Sequence, residues 1–182
     1  MKAINRGFFI SLHMYLAAFF APFIFLVCIS GGLYLVGVKG SVEQSSVFQS
    51  ADYQFDADAA DLKAEVDTLL TAAGVTGYEY EYVKVKGSTL YTRPTSREHY
   101  VINLAAGVEV IHARPSLQSA MIELHKGHGP TAYKTFQKLF AVALLLIVSS
   151  GLLLGLSAAR LRPRTLATSL VGTAVFALLS LL

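Results

Sequence analysis

GFFISLHMYLAAFFAPFIFLVCISGGLYLVGV, residues 7–38, runs for 32 positions without a Lys, Arg, Asp or Glu. A helix needs roughly 20 apolar residues to cross a bilayer core about 30 Å thick. The stretch is therefore read as a membrane helix. Its apolar part is much longer than the core of a secretory signal, and no small-x-small site follows at the right distance, so it is expected to remain in the mature chain. Working outward, two more uncharged runs appear, 21 residues at 139–159 and 18 residues at 165–182. Only helices and closed barrels hide every backbone amide from lipid, and these runs are too long and continuous for barrel strands. Three transmembrane helices are expected. The whole chain agrees: it is 54% hydrophobic and only 15% charged, with a mean hydropathy of +0.53, too apolar for an ordinary soluble domain.

Charge placement suggests an orientation. Lys2 and Arg6 precede the first helix, and Arg160, Arg162 and Arg164 fill the connection between the second and third. No acidic residue accompanies them. By the positive-inside rule these segments face the cytoplasm. The long loop between helices one and two holds all 12 acidic residues and 10 of the 15 basic ones. It is expected outside. Lys134 and Lys138 oppose this locally, but long loops cross largely regardless of charge. The sequence pI near 9.0 does not point to nucleic acid. The positive charge sits at membrane flanks, with no stripe of interleaved basic and aromatic residues. The single cysteine, Cys28, lies within the first helix and offers no disulfide within one chain.

Residues 40–115 have a different texture. DADAADLKAEVDTLLTAAG places Ala59, Leu62, Val66, Leu69 and Leu70 at helical spacing, with acids in the first turn and Gly74 at the end. YEYEYVKVK alternates strictly from Tyr78 and predicts a half-buried strand, with a register change near Tyr82–Val83. TLYTRP, EHYVINL and VEVIHAR predict three more. One helix on three or four antiparallel strands makes a small α+β module. Its catalytic content is poor: there is no Ser/His/Asp spacing, Gly-rich phosphate loop or cysteine pair. His99 and His112 read as surface or rim residues. The Tyr78, Tyr80, Tyr82 row reads as a packed sheet face. The expected organisation is a membrane helix within 1–39, the module over 40–115, an interfacial amphipathic helix and hinge over 116–130, and membrane helices within 131–160 and 165–182. In the interfacial segment, Ser116 is a candidate cap, Leu117, Met121 and Leu124 form an apolar stripe, and Gly127, Gly129 and Pro130 break the helix. Thr131 is a candidate cap for the next helix.

The order of these pieces resembles the PepSY-associated transmembrane family, whose members include iron-regulated inner-membrane proteins and siderophore reductases. The resemblance rests on Leu12-His13 and Gly31-Gly32 in the first helix and on Leu124-His125-Lys126-Gly127 before the second. It rests also on Ser150-Gly151-Leu152 within the second helix and on the PepSY-like texture of 40–115. It covers nearly the whole chain. Larger relatives carry four or more membrane helices and often two PepSY units. Here there are three helices and one unit, as in a half-sized form completed by dimerisation or by a second membrane subunit.

In reductase-like relatives, membrane histidines hold b-type haems. The resemblance implies that role for His13 and His125, and for His128 alongside them. An ionisable residue in a membrane span is itself a functional-site candidate, and neutral imidazole is a common haem-iron ligand. The bland alternative places His125 and His128 in the headgroup zone of an interfacial helix. His13 is expected near the inner face and His125 near the outer one, so a core about 30 Å thick keeps them off one iron. His125 and His128, three residues apart on one helix face, do not clamp opposite sides of a macrocycle. Each bis-histidine site would then take its second imidazole from a two-fold related copy of the chain. Ser30, Gly31, Gly32, Ser149, Ser150, Gly151 and Gly155 allow close helix approach, or leave room for a flat macrocycle. Two functions follow. The first is a haem-dependent electron-transfer protein for periplasmic reduction of a ferric chelate. The second is a non-enzymatic membrane-tethered PepSY module that binds or regulates a periplasmic partner, such as a protease or an uptake complex.

Overall fold

The computed structural model describes residues 6–182. Lys2, one of the charges behind the expected orientation, lies outside the described residues. The order is α1 (Arg6–Leu35), β1 (Val42–Ser50), α2 (Leu62–Ala72), β2 (Tyr82–Lys86), β3 (Thr89–Arg93), β4 (His99–Asn103), β5 (Val108–Pro115), α3 (Leu117–His125), α4 (Thr131–Ser157) and α5 (Arg162–Ser180). Among the described residues, three helices, α1, α4 and α5, are long and apolar enough to cross a membrane. The described residues fold as two compact units, one of 6–23 with 138–182 and one of 24–137.

In the first unit, Phe20 and Phe23 close on Phe140, with ring centroids 5.6 and 4.4 Å apart. Ala143, Ile147 and Ser150 complete the buried side of α4. The opposite faces carry bare apolar side chains such as Phe19 and Leu145, as lipid-facing helix surfaces do. Gly155 lets Thr165 approach, since a Cβ there would lie 2.6 Å from the Thr165 hydroxyl oxygen. Nothing on α5 is buried.

The second unit contains an antiparallel sheet of order β1-β5-β4-β3-β2. Alternation along β2 to β5 sends one set of side chains to α2. Val66, Leu69 and Leu70 of that helix meet Leu90, Ile102, Val108 and Val110 of the sheet, and Tyr80 closes the end. Asp61 starts α2 by accepting from the Ala64 amide at 3.0 Å, satisfying one of the helix's orphan donors.

Three expectations change here. The sheet has five strands, because β1 pairs with β5 from Val42↔Pro115 to Ser50↔Val108. β1 reads VEQSSVFQS and is mostly exposed. An edge strand with polar residues on both faces has no period-two signal. The strand expected from Tyr78 begins only at Tyr82. Tyr80 is a core residue instead, and Tyr78 packs against that core half-buried. Their rings stack 5.7 Å apart, and their hydroxyls bond to Thr92 Oγ1 (2.9 Å) and the Lys63 carbonyl (3.1 Å). In α3, Leu117 is 80% exposed, and the buried residue is Ile122.

The turn into β5 has little room. Gly107 has φ +97°, and a Cβ there would stand 2.9 Å from both the Ala51 Cα and the Ser50 carbonyl oxygen. Gly107→Ala is expected to destabilise the module by about 2 kcal/mol, combining left-handed backbone strain with the clash. Hydrogen exchange of the β1 and β5 amides in the purified full chain is the measurement, with faster exchange expected along both strands.

Candidate functional site

His13 lies on α1 and points across to α4. Its Nδ1 is 3.0 Å from the Ile147 carbonyl oxygen and 3.1 Å from Ser150 Oγ. A carbonyl only accepts, so Nδ1 carries the proton. Ser150 Oγ spends its own proton on the same Ile147 carbonyl at 3.0 Å. This tautomer leaves Nε2 with a free lone pair, and no described residue bonds to it. Gly151 makes the approach possible, since a Cβ on it would come within 3.1 Å of His13 Cε1.

The same constellation recurs in the other unit with different residues. His125, the last residue of α3, meets Ser30 of α1 through Nδ1 at 2.9 Å. Ser30 donates to the Leu26 carbonyl at 2.6 Å, so its oxygen accepts from His125 Nδ1–H. Again Nε2 is left without a described partner. Gly31 faces the ring, and a Cβ there would lie 3.0 Å from His125 Cε1. Each histidine thus pairs with a buried serine and lies against the glycine that follows it, Ser150-Gly151 or Ser30-Gly31. The small residues that the sequence left open between helix packing and a macrocycle serve, at these two positions, to seat an imidazole edge. Beside His125 is a cavity of about 400 Å³, lined chiefly by Ser30, Gly31, Tyr34, Leu35 and Ile122.

His128 belongs to a different cluster. Gly127 (φ +78°) turns the chain after α3, and His128 Nδ1 then lies 2.6 Å from Glu123 Oε2. Glu123 also accepts from Lys126 Nζ (2.7 Å) and Thr95 Oγ1 (2.6 Å). Thr95 in turn accepts from Arg93 Nη1 at 2.7 Å. Partial burial pushes the Glu123 pKa up, but the hydrogen bonds from Lys126, Thr95 and His128 outweigh it and bring it to about 2. The Thr95 amide donates to the His128 carbonyl at 3.2 Å. These bonds tie α3 and its following turn to the β3–β4 connection. His125 and His128 therefore take separate partners, Ser30 and Glu123.

The remaining expectations also find their places. His99 is a buried residue and not a rim one. It is 6% exposed, its Nδ1 donates to the Arg97 carbonyl at 2.9 Å, and burial lowers its pKa. His112 packs against Tyr100 with ring centroids 5.2 Å apart. Thr131 begins α4 but is not its cap. Its amide and hydroxyl both donate to Glu81 Oε2, at 2.8 and 2.5 Å. A carboxylate from the module thus neutralises the positive end of α4, and the Thr131 bonds lower the Glu81 pKa. Lys134, one turn on, donates to the Tyr82 hydroxyl. The Glu123 network and the Ser-Gly seats were not read from sequence as partners of the histidines. The available hint was the recurrence of Leu-His at 12–13 and 124–125 and of Ser-Gly at 30–31 and 150–151.

The sequence profile of the family described as PepSY_TM-like matches residues 50–182, a span that includes His125, Ser150 and Gly151. No curated protein and no solved structure matches the chain.

Proposed function

As the chain belongs to the PepSY_TM-like family, we propose that this membrane protein transfers electrons through haem b held by His13 and His125. Its work in this reading is the reduction of ferric chelates on the periplasmic face of a bacterial inner membrane. One observation carries the reading: two imidazoles are each fixed through Nδ1–H to an oxygen, with Nε2 left over. Metal-ligating histidines donate their second nitrogen in this way, which sets ring orientation and raises basicity. Each site offers one imidazole nitrogen that would hold a haem iron. Haem, when bound, supplies one-electron chemistry. The chain's own contribution is to hold each ring at Nδ1, through Ile147 and Ser150 for His13 and through Ser30 for His125. Gly151 and Gly31 leave room for the two rings themselves. His128 is left out of this set, since its ring is engaged by Glu123. In this reading a homodimer completes each site, with His13 meeting the partner subunit's His13 and His125 meeting the partner subunit's His125.

The test is an absorbance spectrum of detergent-purified protein, oxidised and dithionite-reduced. A Soret band and a sharp reduced α-band are expected. His13→Ala and His125→Ala should each remove about half of that absorbance, since each variant empties one of two sites. A colourless folded preparation, or unchanged spectra in both variants, removes the reading. The second reading is a membrane-tethered module that binds a periplasmic partner. It is favoured by the module's own closed core, in which Val66, Leu69, Leu90 and Ile102 are fully buried.

A further inference from the structure

The sheet face opposite α2 carries charge in place of core. β2 alternates so that Val83 and Val85 oppose Thr92 and Leu90, while Lys84 opposes Tyr91 on the other face. That face and α3 bound a cleft of about 660 Å³, within the range of small-molecule sites. Four cationic side chains line it, Lys84, Lys86, Arg93 and Lys126, together with His128 and a single carboxylate, Glu123.

Arg93 is the unusual member. It is 9% exposed, and its Nε is buried without a hydrogen-bond partner. Nη1 goes to Thr95, and the nearest carboxylate oxygen, on Glu123, is 3.9 Å away. Glu123 is already taken by Lys126, Thr95 and His128. One carboxylate shared among so many donors leaves the guanidinium short of acceptors. A buried donor without a partner calls for a ligand, ion or water. Lys84 and Lys86 are exposed, and neither has an acidic partner among the described residues. Tyr91 adds an aromatic wall beside Arg93.

We propose that this cleft is a binding site for a small organic polyanion, a di- or tricarboxylate or an organic phosphate, with Arg93 at its base and Lys84 and Lys86 at its rim. Arg93 provides the planar, always-charged donor suited to a carboxylate or phosphate. The rim lysines attract the second negative charge and set the requirement for more than one. The site stands independently of any haem, because the rings of His13 and His125 donate their hydrogen bonds to residues outside the cleft.

The experiment is isothermal titration of the full chain in neutral detergent, at physiological ionic strength, with citrate, pyrophosphate and acetate. Citrate or pyrophosphate should bind and acetate should not. The double variant Lys84→Gln/Lys86→Gln should bind about tenfold more weakly with an unchanged ligand-free melting midpoint, because both lysines are exposed. Arg93→Gln should abolish binding, and circular dichroism shows whether it remains folded. Absence of heat with both polyanions overturns the proposal, and so does equal affinity in the double variant. Binding confined to vesicles of anionic phospholipid also overturns it, and assigns the cleft to lipid headgroups instead.

Discussion

Glu123→Gln is expected to destabilise the docking of α3 on the sheet by about 2 kcal/mol, the range for weakening hydrogen bonds to a charged, partly buried group. The substitution keeps the shape of the side chain and removes its charge. Lys126 and His128 lose their anion, and Arg93 keeps a buried cation with no opposing charge nearby. Hydrogen exchange should report the change as faster exchange in residues 117–128 and at the Thr95 amide, with the α2 amides unaffected. Acid titration gives a second reading. The Glu123 pKa lies at about 2 in the fold, below the ordinary 4.5. The unfolded chain therefore binds the proton more readily, and falling pH favours unfolding. The stabilisation is fully present above pH 4.5 and is lost between about 4.5 and about 2. Wild type should lose more stability in that window than Glu123→Gln, which keeps only the smaller acid dependence contributed by Glu81. Superimposable acid curves for the two proteins would discard this account of the network.

The second large effect belongs to the module's core. Ile102 stands between Leu90 of β3 and Val110 of β5 in the sheet register, and all three are fully buried in the cluster against α2. Ile102→Ala removes three carbons from a central strand whose neighbours on both sides are held by ladder bonds, so the gap closes poorly. A loss of about 4 kcal/mol is expected. In a module of this size, that is a large share of total stability. Proteolysis of the full chain in detergent should show cleavage within 62–110 at temperatures where wild type resists. Resistance equal to wild type would mean that the core repacks around the void.

The legible parts of this molecule are those governed by local pattern. Three uncharged runs marked three helices because the membrane requirement is one of length and apolarity. Leu62, Val66, Leu69 and Leu70 marked α2 because one stripe of that helix is buried. β3 to β5 showed through their alternation. Local pattern failed where the partner is distant or polar. β1 is held almost entirely by its ladder to β5 and has too few buried side chains to announce itself. Tyr78 and Tyr80 kept the rhythm of a strand while their hydroxyls fixed them outside the ladder. His13, His125 and His128 were all visible as candidates. Their partners were not, because Ser150, Ser30 and Thr95 approach through tertiary structure. The cap of α4 was sought in Thr131, the adjacent residue, whereas the group supplying it, Glu81, comes from the other end of the module. Arg93 drew no attention as a sequence position, since burial and an unmet donor are properties of the folded state.

The paired His–Ser–Gly seats bear on how the protein is made. Ser150 follows His13 by 137 residues, and His125 follows Ser30 by 95. At a ribosomal pace of about 5–20 residues per second, the first helix waits roughly 7–27 s for the segment that satisfies His13. Throughout that interval a nascent α1 holds a lone imidazole and no opposite helix to receive it. The His13 ring of a nascent α1 therefore stays unmet until α4 has been made.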